Sequence, residues 1–128
     1  KLREKIYKKL VGLNFNIPNF VSNSAIVSKK TLIKKGTIIM NNSVINRNAI
    51  VEENCIINTN SIIEHDSLIC KHTHISTGVI INGGSIIENN CFIGSGSIIR
   101  EGIKIGSNSF IGAGSLIKND IKKNSIIK

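Results

Sequence analysis

Residues 57–81 read INTNSIIEHDSLICKHTHISTGVII, and this stretch decides the fold. Aliphatic residues recur at every sixth position, at Ile57, Ile63, Ile69, Ile75 and Ile81. The residue four positions after each of them is small or β-branched, and the residues between are mostly turn and surface types. A period of six matches neither the 3.6-residue period of a helix nor the two-residue period of a strand, so it indicates an internal repeat.

The repeat extends over most of the chain in one phase. All sixteen positions spaced by six from Val27 to Ile117 are Ile or Val. The residue four positions after each, from Thr31 to Ile121, is small or β-branched. Ordinary alternating strands would not hold one phase over such a length, so the spacing predicts a solenoid.

This is the hexapeptide repeat of a parallel β-helix, in which each repeat supplies one short strand and one corner. Three repeats complete a triangular coil of about 18 residues, so sixteen repeats predict about five coils. Side-chain alternation directs the aliphatic residue, and the small residue two before it, into the core. We therefore predict an all-β fold, a left-handed parallel β-helix preceded by a short N-terminal helix. The left hand is the habit of proteins with this repeat.

Composition and charge exclude several functional classes. The 128 residues include 28 Ile and 17 Asn but only 4% aromatics, which argues against a helical bundle. The formal net charge of +9 is 9 − 1 = +8 in residues 1–35, 3 − 6 = −3 in residues 36–103 and 5 − 1 = +4 in residues 104–128. The basic ends lack the interleaved aromatics of a nucleic-acid binder. No apolar run approaches the roughly 18 residues of a membrane span. We thus expect no nucleic-acid and no membrane partner.

Three cysteines without a recognisable signal peptide indicate reduced thiols, so we expect a cytoplasmic protein.

Outward-facing positions are mostly apolar, and those spaced by 18 form ridges. One ridge is Ile26, Val44, Ile62, Ile80, Ile98 and Leu116; a second is Ile38, Ile56, His74, Phe92 and Phe110. Because continuous apolar ridges are rarely left in water, we expect an oligomer. Strand propensity alone is the alternative explanation.

Residues 1–20 do not follow the repeat. Residues 1–10 fit a basic amphipathic helix that Gly12 can end, and Asn16 to Asn19 fit an extended connection. A lone helix of this length is a poor start for a protein, so we interpret residues 1–20 as the end of a preceding domain. Residues 21–128 are then the β-helix domain.

His65 is the first candidate for chemistry. It follows the core residue Ile63 by two positions, so it lies at a corner with its ring outside, between Glu64 and Asp66. A neighbouring carboxylate orients an imidazole and raises its basicity, as a general base requires. One coil further on, Gly83 would leave space above His65 for a substrate. The alternative is a surface histidine in a polar turn.

His74 interrupts the second apolar ridge, where it either acts in a site or hydrogen-bonds within a subunit contact. It lies half a coil from His65, so the two could share a site only across a subunit interface. The corners after it are built of small residues only. They are Ser76-Thr77-Gly78, Gly94-Ser95-Gly96 and Gly112-Ala113-Gly114. Such a column predicts a smooth groove for a long, thin ligand, unless the glycines merely suit the corner geometry. His72 lies in a corner, so we expect no metal shared with His74.

The motifs Ile63-Glu64-His65-Asp66, His74-Ile75-Ser76-Thr77-Gly78 and Phe92-Ile93-Gly94 carry a resemblance to a known family. The sequence resembles the bacterial hexapeptide acyltransferases of the sialic acid O-acetyltransferase and UDP-4-amino-sugar N-acetyltransferase group. It departs from the family pattern at Thr77, where proline is frequent, and at Asn82, where alanine is frequent.

The resemblance implies a homotrimer with active sites between subunits and acetyl-CoA as co-substrate. It implies that His65 is the general base and that Asp66 orients it. It assigns acetyl-CoA binding to His74, Gly83, Gly94, Ser95, Gly112 and Ala113. With acetyl-CoA in that groove, we expect its phosphates to meet Lys118, Lys122 or Lys123. It also implies that residues 1–20 end a nucleotide-sugar-binding domain and that the family's C-terminal tail is truncated.

The sequence thus predicts an acetyl-CoA-dependent acetyltransferase that modifies an amino or hydroxyl group of a nucleotide sugar or sialic acid in surface glycan biosynthesis. Transfer would be direct, with no metal. Two alternatives stay open at this point. One is a histidine metal site of the carbonic anhydrase kind on a trimeric β-helix, although the spacing of the three histidines matches it poorly. The other is a structural or ice-binding solenoid, although the outward ridges are rich in Ile rather than Thr.

Overall fold

The computed structural model describes residues 2–128, which form one helix, α1 (Leu2–Gly12), followed by eighteen two-residue strands. The strands are β1 (Phe20–Val21), β2 (Ile26–Val27), β3 (Leu32–Ile33), β4 (Ile38–Ile39), β5 (Val44–Ile45), β6 (Ile50–Val51), β7 (Ile56–Ile57), β8 (Ile62–Ile63), β9 (Leu68–Ile69), β10 (His74–Ile75), β11 (Ile80–Ile81), β12 (Ile86–Ile87), β13 (Phe92–Ile93), β14 (Ile98–Ile99), β15 (Lys104–Ile105), β16 (Phe110–Ile111), β17 (Leu116–Ile117) and β18 (Ile126–Ile127).

The strands form three parallel sheets, which are the faces of a triangular solenoid. Face A contains β1, β4, β7, β10, β13, β16 and β18; face B contains β2, β5, β8, β11, β14 and β17; face C contains β3, β6, β9, β12 and β15. We name the corners after the faces that they join: the AB, BC and CA corners. The prediction of an all-β parallel β-helix with a short N-terminal helix is confirmed.

The predicted number of about five coils is too low. Eighteen strands on three faces give 18 / 3 = 6 turns, because β1 and β18 lie outside the sixteen repeats seen in the sequence. Phe20 pairs with Ile38 at the regular spacing of 18. At the other end Phe110 pairs with Ile126 at a spacing of 16, because the last coil is two residues shorter. Because of this shortening, Ile127 of β18 does not fall on the six-residue spacing that begins at Val27.

The core is a stack of aliphatic side chains, as the repeat predicts. Twelve isoleucines, from Ile39 to Ile111, are fully buried. The small inward residues beside them are buried as well, and their hydroxyls bond to the adjacent coil. Thr37 Oγ1 donates to the Glu52 carbonyl at 2.8 Å, and Ser85 Oγ donates to the Arg100 carbonyl at 2.9 Å. Buried Ser and Thr are tolerated here because each hydroxyl has a partner.

A left-handed backbone residue recurs every six positions and explains the abundance of Asn. Asn42, Asn48 and Asn60 all have φ near +60°, a conformation that Asn and Gly adopt more readily than other residues. Most corners between residues 36 and 114 use one of these two residue types at this position. Asp66 and His72 are the exceptions, with φ of 60° and 62°.

Helix α1 packs across the CA corner rather than along a strand face. Tyr7 is 9% exposed and lies against Gly36, where a Cβ would be 2.6 Å from Tyr7 Cε2. The Arg3 guanidinium donates to the carbonyls of Asn54 and, at 2.9 Å, of His72. Leu2 and Ile6 of the same helix stay outside, since they are 72% and 50% exposed.

The strand register aligns the two predicted outward ridges on faces B and A. Ile62, Ile80 and Ile98 are direct neighbours on face B, and His74 pairs with Ile56 and Phe92 on face A. Face C carries a third such row, which the sequence analysis did not single out: Leu32, Ile50, Leu68, Ile86 and Lys104. Within residues 2–128 no helix has the length and apolarity needed to cross a membrane.

Candidate active site

His65 and Asp66 form a hydrogen-bonded pair at the BC corner. His65 Nδ1 lies 2.8 Å from Asp66 Oδ2, and both side chains are more than half exposed. The corner backbone is held by the neighbouring coils on either side. Asp66 donates its N–H to the Arg47 carbonyl at 3.1 Å, and Gly84 donates its N–H to the His65 carbonyl at 2.9 Å. The pair therefore leaves Nε2 of His65 as the ring nitrogen available to a substrate.

The two groups shift each other's acid–base behaviour in the direction that a general base needs. The hydrogen bond to Asp66 raises the pKa of His65, and the charges of Glu64 and Glu101 add to this effect. The hydrogen bond from His65, and a second one from Asn48, lower the pKa of Asp66. Asp66 thus stays ionised and favours the Nδ1–H form of the imidazole.

Gly83 lies one coil above His65, and the structure gives it a specific reason to be glycine. A Cβ at this position would lie 2.7 Å from His65 Cε1 and 2.8 Å from Nε2. The space that the sequence analysis left for a substrate above His65 is therefore filled by the imidazole itself. Between residues 2 and 128 no hydrogen-bond partner is found for the Gly83 N–H, so this amide could serve as an oxyanion donor beside the ring.

His74 lies on face A, at the other side of the solenoid from the BC corner. Its ring centroid is 5.2 Å from that of Phe92, which stacks in turn on Phe110 at 5.0 Å. Burial lowers the pKa of His74 and so favours its neutral ring. His65 and His74 occupy different sides of one chain, as their spacing predicts.

His72 belongs to the helix contact rather than to either histidine site. Its ring meets the edge of Tyr7 at a centroid distance of 5.6 Å, and its Nδ1 lies 2.8 Å from Asn54 Nδ2. Burial lowers the pKa of His72. Among the described residues no three His, Cys, Asp or Glu side chains come together as metal ligands could.

The column of small residues lies at the AB corner, beside His74. Ser95 and Ala113 are exposed there, whereas Gly94 is buried under the next coil. A Cβ on Gly94 would lie 2.5 Å from the Ala113 backbone N. A Cβ on Gly112 would lie 3.1 Å from the Ile127 carbonyl oxygen. Close stacking of the coils therefore explains these glycines, and the smooth outer surface is formed by Ser95 and Ala113.

Face B separates the two halves of the candidate site. The BC corner with His65 borders one edge of this face, and the AB corner with the small residues borders the other edge. Lys118 directly follows β17, so it lies at the BC corner, whereas Lys122 and Lys123 precede β18 at the CA corner. None of the three lysines therefore lies on the AB corner of its own chain.

One contributor to the site was missed by the sequence analysis. Asn48 Nδ2 donates to Asp66 Oδ1 at 2.9 Å from the coil below. Its only signal in the sequence is its position, 18 residues before Asp66. Because Asn recurs at this corner position throughout the chain, that signal did not distinguish Asn48 from the others.

Comparisons with known proteins agree with this architecture. A family model described as bacterial transferase hexapeptide (six repeats) matches residues 84–119. No curated protein sequence matches the chain at the same level of significance. Perosamine N-acetyltransferase from Caulobacter crescentus, solved as a mutant in complex with CoA and GDP-perosamine, superposes with a TM-score of 0.96 at 26% identity, covering 98% of this chain and 60% of that one.

Two further structures are similar. The acetyltransferase domain of PglB from Neisseria gonorrhoeae FA1090 superposes with a TM-score of 0.93 at 30% identity, covering 94% of this chain and 58% of that one. The same domain has also been solved in complex with acetyl coenzyme A. WeeI from Acinetobacter baumannii AYE has a TM-score of 0.93 at 20% identity over 99% of this chain and 63% of that one, which shows the shared fold.

These matches define the fold class, a parallel β-solenoid, whose residues 84–119 match the bacterial transferase hexapeptide model. Within that class, the resemblance to the bacterial hexapeptide acyltransferases that was inferred from the sequence is confirmed. The chain spans 60% and 58% of the lengths of the first two structures.

Proposed function

We propose that this chain is the catalytic solenoid of an acetyl-CoA-dependent acetyltransferase that acylates an amino or hydroxyl group of a nucleotide sugar. The observation that carries the proposal is the His65–Asp66 pair, with the His65 ring packed beneath Gly83. Further support comes from the similarity to a perosamine N-acetyltransferase crystallised with CoA and GDP-perosamine, and to a PglB domain crystallised with acetyl-CoA.

His65 acts as the general base in this proposal. Nδ1 of the ring is engaged by Asp66, so Nε2 accepts the proton of the acceptor amine or hydroxyl as that group attacks the thioester carbonyl. The resulting tetrahedral oxyanion collapses with cleavage of the C–S bond. The leaving CoA thiolate then takes the proton from the His65 imidazolium, so no acetyl-enzyme intermediate forms and the base is restored.

Asp66 and Gly83 support that step in different ways. Asp66 holds the Nδ1–H tautomer and stabilises the imidazolium that forms during transfer. In this proposal the N–H of Gly83 donates to the oxyanion, since a backbone donor near the base needs no reorganisation during the reaction. Acetyl-CoA is the co-substrate. It would lie along Ser95 and Ala113 beside His74, on the surface that close stacking at Gly94 and Gly112 leaves smooth, and would reach Gly83 of a neighbouring copy.

A homotrimer is part of the proposal because one chain holds two separated half-sites. In a cyclic arrangement, the AB corner of one copy would meet the BC corner of the next across face B. That contact would bring the smooth surface at Ser95 and Ala113 opposite the His65 of a neighbouring copy. The apolar ridge on face B supports this packing, since Ile98 and Leu116 are exposed on the isolated chain.

The finer assignments complete the proposal. The enzyme would work in the cytoplasm on a nucleotide-linked amino sugar, with sialic acid as the alternative hydroxyl acceptor. Direct transfer to the 4-amino group is favoured over O-acetylation by the likeness to an N-acetyltransferase.

A product assay tests this function directly. The chain is incubated with acetyl-CoA and, separately, with GDP-perosamine, a UDP-linked 4-amino sugar or sialic acid. Thiol release and the mass of the acceptor are followed. We expect acetylation of an amino-sugar nucleotide. Acetyl-CoA that binds without acetylation of any acceptor in the panel would contradict the proposal.

A further inference from the structure

Both carboxylate oxygens of Asp66 are engaged, and they are engaged by different coils. Oδ2 meets Nδ1 of His65 at 2.8 Å within the same corner. Oδ1 accepts a hydrogen bond of 2.9 Å from Nδ2 of Asn48, one coil below. An exposed carboxylate ordinarily rotates about its side-chain torsions, and a second anchor on the other oxygen restricts that rotation.

The solenoid places Asn48 reproducibly under Asp66. Both residues take the left-handed corner conformation, with φ of 61° and 60°. The coils are tied together beside them by the hydrogen bond from the Asp66 N–H to the Arg47 carbonyl. Asn48 therefore keeps its register with Asp66 for the same reason that the strands keep theirs.

The amide is also the appropriate chemical group for this position. An Asn side chain donates a hydrogen bond without carrying a charge, so it fixes the carboxylate and leaves its negative charge available to the imidazole. A Lys or Arg here would pair with Asp66 directly and compete with His65 for it.

We infer that Asn48 is a positioning residue for the transfer reaction: it holds the Asp66 carboxylate so that Oδ2 stays on Nδ1 of His65. This inference rests on the proposed function for its effect on catalysis, but its effect on the histidine is measurable without any turnover. In this role Asn48 acts through Asp66, to which its side-chain amide donates.

Several charged groups surround the pair and contribute to its titration. Asp66, Glu64 and Glu101 all raise the pKa of His65. Arg47 acts on the other member, because its charge favours the ionised form of Asp66. A variant at position 48 leaves each of these groups in place, so a change in the titration of His65 reports on the anchor itself.

The first test removes the amide and preserves the backbone. Asn48→Gly keeps a left-handed corner without strain. The matched control is Asn108→Gly: Asn108 has φ of 60°, lies at the CA corner, and also loses one exposed hydrogen bond, of 3.2 Å to Asn124. We expect Asn48→Gly to lower kcat about three- to tenfold, as for the net loss of one typical hydrogen bond at an exposed site. The control should leave kcat unchanged, and both variants should unfold at similar temperatures.

The second test follows the imidazole of His65 by NMR titration, with His65→Ala to assign the signal. In Asn48→Gly the freed carboxylate spends less time on Nδ1, so the pKa of His65 should fall. In the control Asn108→Gly, which loses its hydrogen bond at another corner, the pKa of His65 should stay unchanged. A role confined to stability would not lower the pKa of His65 in Asn48→Gly alone.

A double-mutant cycle locates the effect. If Asn48 acts through Asp66, Asn48→Gly should cost nothing further in an Asp66→Asn background. Unchanged His65 titration in Asn48→Gly, or additive losses in the cycle, would overturn the inference even in an active enzyme. If the wild-type chain acetylates no acceptor, the proposed function fails, and the two titrations still decide whether Asn48 holds the pair.

Discussion

The BC corner and the AB corner both contain glycine, at neighbouring positions of the repeat, yet for different reasons. At the BC corner a Cβ on Gly83 would meet the side chain of His65 at 2.7 Å. At the AB corner a Cβ on Gly94 would meet the backbone N of Ala113 at 2.5 Å. The first glycine makes room for a functional ring, and the second makes room for the next coil.

This difference separates function from packing in a sequence where glycine is common at corners. The His65 ring is exposed and could move away from a new side chain, whereas the coil above Gly94 is fixed by its own hydrogen bonds, including that from the Gly94 N–H to the Ile111 carbonyl at 2.8 Å. Substitution at Gly83 should therefore affect chemistry, and substitution at Gly94 should affect stability.

The largest expected effect is the loss of the base itself. His65→Ala should lower kcat about 100- to 10,000-fold, because proton transfer from the acceptor then has no positioned group. The thermal unfolding temperature should stay unchanged, since the ring is exposed. Steady-state kinetics and thermal unfolding measure both effects, and near-normal turnover would remove His65 from the mechanism.

Gly83→Ala and Gly94→Ala test most directly whether the two corners need glycine for different reasons. Gly83→Ala should lower kcat by up to about 100-fold, because it displaces the base by roughly an ångström or more, and it should leave stability nearly unchanged. Gly94→Ala should instead destabilise the fold by about 1–3 kcal/mol through overpacking. Equal losses of stability in the two variants would show that the corners do not differ as described.

The dependence of kcat/KM on pH tests the roles of His65 and Asp66 at the BC corner. Asp66 raises the pKa of His65. In the proposed mechanism the neutral imidazole is the active form, so kcat/KM should fall as the pH drops through that pKa. Asp66→Asn lowers the pKa of His65, so the acidic limb should move to lower pH, with a plateau about tenfold lower from the lost charge-assisted hydrogen bond. A limb that stays in place would contradict the role of Asp66.

The smallest expected effect concerns the AB corner as a surface for acetyl-CoA. Ala113→Trp places a bulky side chain on an exposed position of the smooth column. It should raise the KM for acetyl-CoA about fivefold, equivalent to roughly 1 kcal/mol of lost contact, with little change in kcat. Asn23→Trp, at the corresponding corner position near the start of the solenoid, is the control and should leave the KM unchanged.

The sequence predicts the solenoid well because its repeat is unbroken and each position in it has one physical role. Ile63 and Ser67 are inward in the structure as their places in the repeat require. Helix α1 is also predicted, but its packing is not: Tyr7 enters the CA corner beside Gly36 and His72, a contact that no periodicity encodes. Strand β18 is not predicted for a similar reason. The last coil is two residues shorter, so Ile127 no longer follows the six-residue spacing.

The candidate site is predictable only in part. Asp66 beside His65 is a sequence neighbour, so its hydrogen bond could be expected from the chain alone. The contacts of Asn48 and Gly83 cross between coils, and each depends on where a side chain turns at a corner. A spacing of 18 identifies which residues stack, but it does not identify which stacked residues touch.

In the proposed trimer the two half-sites meet between copies of the chain, so that His65 of one copy lies opposite the smooth AB corner of another. A crystal structure with acetyl-CoA tests it most directly. We expect a trimer in which the thioester lies within reach of His65 Nε2 of one copy while the pantetheine chain runs along Ser95 and Ala113 of its neighbour. Acetyl-CoA bound within a single chain, with its thioester away from His65, would contradict the account.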